Sequence, residues 1–203
     1  MKGICFIEPL FHRVVKGEKM QTRRMITPQP VDSVENLMFF GNKVFRTRDE
    51  YDELIFIDPK YQVGEKVYLK EPYILYQEEY QESKASQSGI QYAYKFGNHL
   101  SIEEITGKSD SKWKNKLFMP ESAARYFIEI TAVRAEKLQD ISEEDCLKEG
   151  IELYNNYDGT YGGHSAPTAP KEAYAALINS INGKGTWEKN PFVWVYEFRL
   201  IQG

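Results

Sequence analysis

Lys16-Gly17-Glu18-Lys19-Met20-Gln21-Thr22-Arg23-Arg24 sets an amine, a hydroxyl and two guanidinium groups within a few residues of a glycine. Lys19 and Thr22 stand three apart, a spacing that puts two side chains on one face of a turn or short helix. Such a pair can set a base against a nucleophile, or an anion against a cationic cradle. The same residues also fit a solvated basic turn, since lysine- and arginine-rich surface turns are common. Just upstream, Gly3-Ile4-Cys5-Phe6-Ile7-Glu8 reads as a buried strand. Residues 9–15 read as a short helix opened by Pro9 and ended by Gly17.

Working outward, a chain of 203 residues has room for one sizeable core, or for one domain with a long excursion. Aromatic residues make up 14%, with 14 tyrosines and 11 phenylalanines, which favours β structure and stacking surfaces. A net charge of −4 argues against a large nucleic-acid footprint held by global charge, while leaving room for a local basic patch. Cys5 and Cys146 sit in unlike settings and suggest neither a disulfide framework nor a zinc site. The N-terminus shows no signal-peptide apolar run, and no stretch approaches membrane-spanning length, so a cytoplasmic protein is expected.

Downstream, residues 36–46 look like a hairpin turning at Gly41-Asn42. Residues 61–65 form a turn feeding a strand over 66–70, which Glu71-Pro72-Tyr73 ends. Residues 77–120 are polar and low in aliphatics, an excursion carrying one weak strand at 90–96, with 107–116 the best candidate for disorder. Residues 125–133 alternate as a strand with Tyr126, Ile128 and Ile130 on one face. Ser142 then caps a helix, with Asp145 three residues on, and the helix stops at Glu149-Gly150. Residues 154–168 read as a loop. Residues 170–181 read as an amphipathic helix with Tyr174, Leu177, Ile178 and Ile181 on its apolar side. Asn190-Pro191 marks a turn before a closing apolar strand over 192–201.

Chemistry has two further candidate positions. Glu149 ends a helix, where the negative dipole end raises a carboxylate's pKa and suits a general base; it also fits a solvent-facing end of an acidic helix. Glu71 follows Val67-Tyr68-Leu69 and either points into a barrel mouth or pairs with a surface lysine. His12, His99 and His164 are isolated and form no metal-ligand spacing. No P-loop, G-x-G-x-x-G or G-x-S-x-G pattern occurs, so no cofactor and no metal are expected.

Gly17-Glu18-Lys19-Met20-Gln21-Thr22-Arg23-Arg24 resembles the G-x-K-x-x-T-x-R signature of the ASCH domain. Residues 61–71, 134–151 and 190–198, with Met119-Pro120 and Ala124-Arg125, resemble the longer ASCH proteins of phages and prophages in the same order. The likeness covers nearly the whole chain, with the excursion its poorly matched part. It implies an α+β fold, a PUA-like (ASCH) β-barrel with flanking short helices and a long polar excursion. One domain would span 1–203, with a peripheral insertion at about 77–120. It also implies the function of small bacterial relatives that remove the acetyl group from N4-acetylcytidine. Carried over by motif, the catalytic residues are Lys19, Thr22 and Glu149. Lys19 would take the proton of Thr22, whose oxygen attacks the acetyl carbonyl, and Glu149 would activate water for deacylation. A lysine needs a lowered pKa for this, and burial beside Arg23 or Arg24 lowers it.

The expected function is thus binding of a modified nucleoside or nucleic-acid base, with amide hydrolysis its most concrete version. Arg23, Arg24, Glu71, Tyr73 and Trp194 are the expected substrate-binding residues. The alternatives are a non-catalytic reader of single-stranded nucleic acid, RNA before DNA, and a phage accessory protein acting through protein contacts. In the reader, Arg23 and Arg24 would hold phosphate while Tyr73 or Trp194 stacks a base.

Overall fold

The computed structural model describes residues 1–31, 33–39, 42–49, 51–77, 90–97, 101–107, 112–151 and 169–201. Five strands pair in the order β1 (Lys2–Cys5), β6 (Lys66–Lys70), β9 (Phe127–Lys137), β10 (Phe192–Ile201), β2 (Gln21–Met25). The sheet is mixed: β1 runs parallel to β6, and β2 antiparallel to β10. Among the described residues five α-helices accompany it: α1 (Glu8–Val15), α2 (Ile102–Thr106), α3 (Glu143–Lys148), α4 (Pro170–Asn182) and α5 (Thr186–Lys189). The chain is therefore α+β. Among the described residues no helix is long and apolar enough to cross a membrane.

The chain divides into two compact units. The first comprises residues 1–12, 66–128 and 201–203. Here Gly3 stands opposite Tyr68 across the β1–β6 ladder, and a Cβ at Gly3 would fall 2.7 Å from the Tyr68 ring. Only glycine fits. The first strand ends at Cys5, three residues sooner than expected, because Glu8 supplies an acidic first turn to α1. After the interruption at Pro72 the chain resumes as β7 (Tyr73–Gln77), antiparallel to β8 (Ile90–Tyr94). Tyr73, Met119 and Ala123 make a small core against this pair. The weak strand expected at 90–96 is thus β8. Much of the excursion, at 78–89, 98–100 and 108–111, lies outside the described residues, as does part of the stretch expected to be disordered. Residues 112–116 are described, and Asn115 caps a 3-10 turn at Lys116–Phe118.

The second unit comprises residues 13–65 and 129–200. Its centre is β10, in which every side chain from Phe192 to Tyr196 is buried, on both faces alike. A strand covered on two sides reads as a continuous apolar run rather than an alternating one, and this sequence does so. Trp194 meets Phe45 edge-on at 4.5 Å, and Tyr196 meets Tyr61 at 5.2 Å. Phe45 belongs to a three-stranded antiparallel sheet, β3 (Glu35–Phe39), β4 (Asn42–Arg48) and β5 (Leu54–Ile57). In its register Phe39 stands opposite Asn42, so Asn42 is the first residue of the return strand rather than part of the turn. The strand expected to end at Val133 continues to Lys137, because Arg134 and Glu136 alternate with buried Val133 and Ala135. Ser142 caps α3 by accepting from the Asp145 amide, as expected. In α4 Pro170 occupies the first turn and Ala173, Tyr174, Leu177 and Ile178 are buried. Ile181, expected on the apolar side, is 42% exposed. The loop expected at 154–168 lies outside the described residues.

Candidate functional site

Gly17, at φ +73°, lets the chain leave α1, and the amides of Glu18 and Lys19 both donate to the Arg13 carbonyl. The Met20 amide then donates to the Lys148 carbonyl at 2.9 Å, fixing the start of β2 beside the end of α3. That backbone link brings two remote side chains together. Lys19 Nζ lies 2.6 Å from Glu149 Oε2 and donates to the Glu149 carbonyl at 2.7 Å. Gly150, at φ +85°, ends α3 directly after Glu149. Lys19 therefore caps a helix C-terminus with a cation while pairing with that residue's own carboxylate.

Lys19 is 1% exposed and Glu149 4%, so neither the solvated basic turn nor the solvent-facing helix end describes them. Burial holds the Lys19 ammonium below the ordinary lysine range; Glu149 opposes this and Arg24 and Arg23 reinforce it. Burial beside the arginines acts in the direction a lysine base requires.

Residues 21–25 form a strand, so the three-residue spacing of Lys19 and Thr22 does not place them on a helical face. Alternation along β2 sets Gln21 and Arg23 on one face, where Arg23 donates to Gln21 Oε1 at 2.5 Å. Thr22 and Arg24 take the other face, opposite Tyr196 and Trp194 in the β10 ladder. Among the described residues no hydrogen bond joins Thr22 to Lys19 or Glu149. The fold unites Lys19 and Glu149, and Arg23 hydrogen-bonds to that pair.

Arg23 is the hub of that face. It donates to Glu149 Oε1 at 3.1 Å, to Glu136 Oε1 at 2.6 Å and to Asp145 Oδ2 at 3.0 Å, and its side chain has no exposed surface. Burial alone would lower its pKa, but Glu149, Tyr174 and Glu136 raise it, so it stays charged. Arg134 extends the network, donating to Glu136 at 2.8 Å, Asp145 at 2.6 Å and Glu197 at 2.6 Å. Every carboxylate of the network thus has a cation or amide donor, the condition on which buried charge is tolerated.

No family model, no curated protein and no solved structure matches this chain.

The other expected substrate-binding residues are placed differently. Trp194 and Tyr73 are each 5% exposed, their rings packed on Phe45 and Tyr92. Arg24 is half-buried on the Trp194 face. Glu71 and Tyr73 belong to the first unit, where Glu71 is fully buried and bidentate with Arg125, both contacts at 2.7 Å. Its partner is therefore an arginine rather than a surface lysine. Tyr94 and Tyr126 lie 4.4 and 5.0 Å from the Arg125 guanidinium carbon and complete its surroundings. Among the described residues no cluster of three His, Cys, Asp or Glu is arranged to hold a metal.

Sequence reasoning passed over Arg134, Glu136 and Tyr174. The first two fall in the 134–151 block of the resemblance but are not singled out there as site residues. A findable signal was the acidic–basic alternation Arg134-Ala135-Glu136, which sets both charges on one face of a strand.

Proposed function

We propose that this chain is a PUA-like ASCH protein, its sheet completed as a barrel, that binds a modified nucleoside or nucleic-acid base at the Lys19–Glu149 cluster. Hydrolysis of an N4-acetylcytidine amide is the reaction that this reading favours. One observation carries it: a buried amine and a buried carboxylate, 130 residues apart, lie 2.6 Å from each other beside a fully buried arginine. Packing gives no reason for such a group, since apolar residues of similar volume fill a core at lower cost.

The chemistry follows from the two pole groups. Glu149 accepts the proton of a water whose oxygen attacks the acetyl carbonyl. The carbon–nitrogen bond breaks, and Lys19 supplies a proton to the departing N4 amine. Acetic acid, which gives up its proton to solvent as acetate, and the free cytidine are the products, and the two residues then exchange the proton to restore the starting state. The resemblance assigns the attack to Thr22 instead, through an acyl-enzyme. That Thr22 has no described hydrogen bond to Lys19 or Glu149 supports water. Of the residues the reader alternative would use, Arg23, Tyr73 and Trp194 are buried and Arg24 is half-buried.

The test is acetate release from N4-acetylcytidine by the purified protein. Wild type turns over, Lys19→Ala does not, and Thr22→Val retains turnover if water is the nucleophile. Unchanged turnover in Lys19→Ala rejects the catalytic reading.

A further inference from the structure

Tyr174 sits on the buried face of α4, which packs on α3, the helix that ends at Glu149. It is 1% exposed, and its ring centroid lies 6.0 Å from the Arg23 guanidinium carbon. Trp187 closes one edge of the ring at 6.2 Å. Among the described residues its hydroxyl has no hydrogen-bond partner. A buried hydroxyl left unpaired costs free energy that a phenylalanine in the same place would not. Packing therefore favours Phe, and the hydroxyl calls for another account.

Its neighbours narrow that account. The Nε, NH1 and NH2 groups of Arg23 are engaged with Glu136, Gln21, Glu149 and Asp145. Lys19 is bonded to both the carboxylate and the carbonyl of Glu149. Among the described residues the Tyr174 hydroxyl is thus a buried donor on this face without a hydrogen-bond partner. Burial and the charge of Glu149 hold its phenol well above the ordinary tyrosine range, so it donates as a neutral O–H. Glu149 and Glu136 on one side and Arg23 on the other offset each other around this hydroxyl, so the group it faces need carry no charge, and a neutral acceptor is a complement to a neutral O–H.

On the reading of this cluster as a nucleoside site, we propose that Tyr174 is a ligand-binding residue, donating its hydroxyl hydrogen to a neutral carbonyl oxygen of the bound ligand. N4-acetylcytidine carries two such oxygens, that of the acetyl group and that of the pyrimidine ring. The acetyl oxygen is the one that gains negative charge when its carbonyl is attacked, so a donor there strengthens in the transition state.

The experiment compares Tyr174→Phe with wild type by calorimetric titration with N4-acetylcytidine and with cytidine, both proteins carrying Glu149→Gln where wild type turns the former over, alongside thermal unfolding of the free proteins. Tyr174→Phe unfolds at the same or a higher temperature, because the substitution removes an unpaired buried hydroxyl. Its affinity for N4-acetylcytidine falls about 10-fold, the loss of one hydrogen bond. Cytidine binding is unchanged if the acetyl oxygen is the acceptor, and falls equally if the ring oxygen is. A lower unfolding temperature with unaltered affinity for both nucleosides overturns the proposal and makes the hydroxyl structural. Wild type that binds neither nucleoside overturns the reading of the cluster itself, and the assignment of Tyr174 with it.

Discussion

Breaking the Lys19–Glu149 pair from either side should cost unequal amounts, and the inequality is set by Arg23. At 2.6 Å and an effective dielectric of about 20, the direct attraction of the pair is about 6 kcal/mol, largely offset by desolvation of both groups. Lys19→Met leaves Glu149 buried but still 3.1 Å from Arg23, so its charge keeps a partner. We expect a loss of about 2 kcal/mol. Glu149→Gln leaves the Lys19 ammonium in a site 1% exposed beside two arginines, while Arg23 retains Glu136 and Asp145. That loss should be about 3–4 kcal/mol. The double variant strands neither charge and should cost well under the sum, a coupling of about 2 kcal/mol. Urea unfolding reads all four proteins. Lys19 also gives the deficit a pH signature. Its folded pKa is lowered, so between that value and about 10.5 the unfolded chain binds more protons, and stability rises with pH. Glu149→Gln removes the main group opposing that shift and widens the window downward. Its deficit should therefore shrink as pH rises from the variant's folded value toward that of wild type. Additivity within about 0.5 kcal/mol, or a deficit independent of pH, would refute the buried pair as described.

Burial pushes the Cys146 thiol up to about 11 and leaves it without exposed surface, so a thiol reagent at pH 8 should label only Cys5 until the protein unfolds. Rapid labelling of two thiols in the native protein would contradict that placement. Burial raises the Asp145 pKa, but hydrogen bonds from Arg23 and the nearby Arg134 charge lower it further, for a net fall. Its stabilising effect is present above about pH 4 and is lost as pH falls through the folded value, so Asp145→Asn should flatten the acid limb of the stability–pH curve. Arg125→Ala should cost about 3 kcal/mol at pH 7 by stranding the buried Glu71 carboxylate. Burial already raises the Glu71 pKa, so the deficit should narrow toward pH 5 as the carboxyl takes up a proton, and chemical denaturation at the two pH values compares them.

Elements whose signals are local were legible in the sequence. Ser142 and Asp145 mark the start of α3, Pro170 the start of α4, and the apolar run of β10 can only be a strand covered on both faces. The turn at Gly64 likewise places β6 correctly. Elements that depend on a distant partner were not. Leu54–Ile57 is a strand because β4 lies beside it, and four residues carry too little periodicity to announce one. The strand legible in the sequence stops at Val133, and it continues through Lys137 where Arg23 and Asp145 satisfy Glu136 and Arg134. In the candidate site, motif order pointed to Lys19 and Glu149. The face occupied by Thr22 depends on β2 being a strand, which a run of Gln, Thr and two Arg does not disclose. Tyr174 was read as one apolar position among four on a helix, since nothing in sequence separates a packed ring from a ring with an unmet hydroxyl.

The most direct measurement of the central claim is a crystal structure of the protein soaked with N4-acetylcytidine, or of the Glu149→Gln variant if wild type turns the nucleoside over. The account predicts nucleoside density against residue 149, with the acetyl or the ring carbonyl oxygen within about 3 Å of Tyr174 Oη. Nucleoside density on any other surface, with the Lys19, Arg23 and Tyr174 side chains as they stand in the free protein, would contradict it.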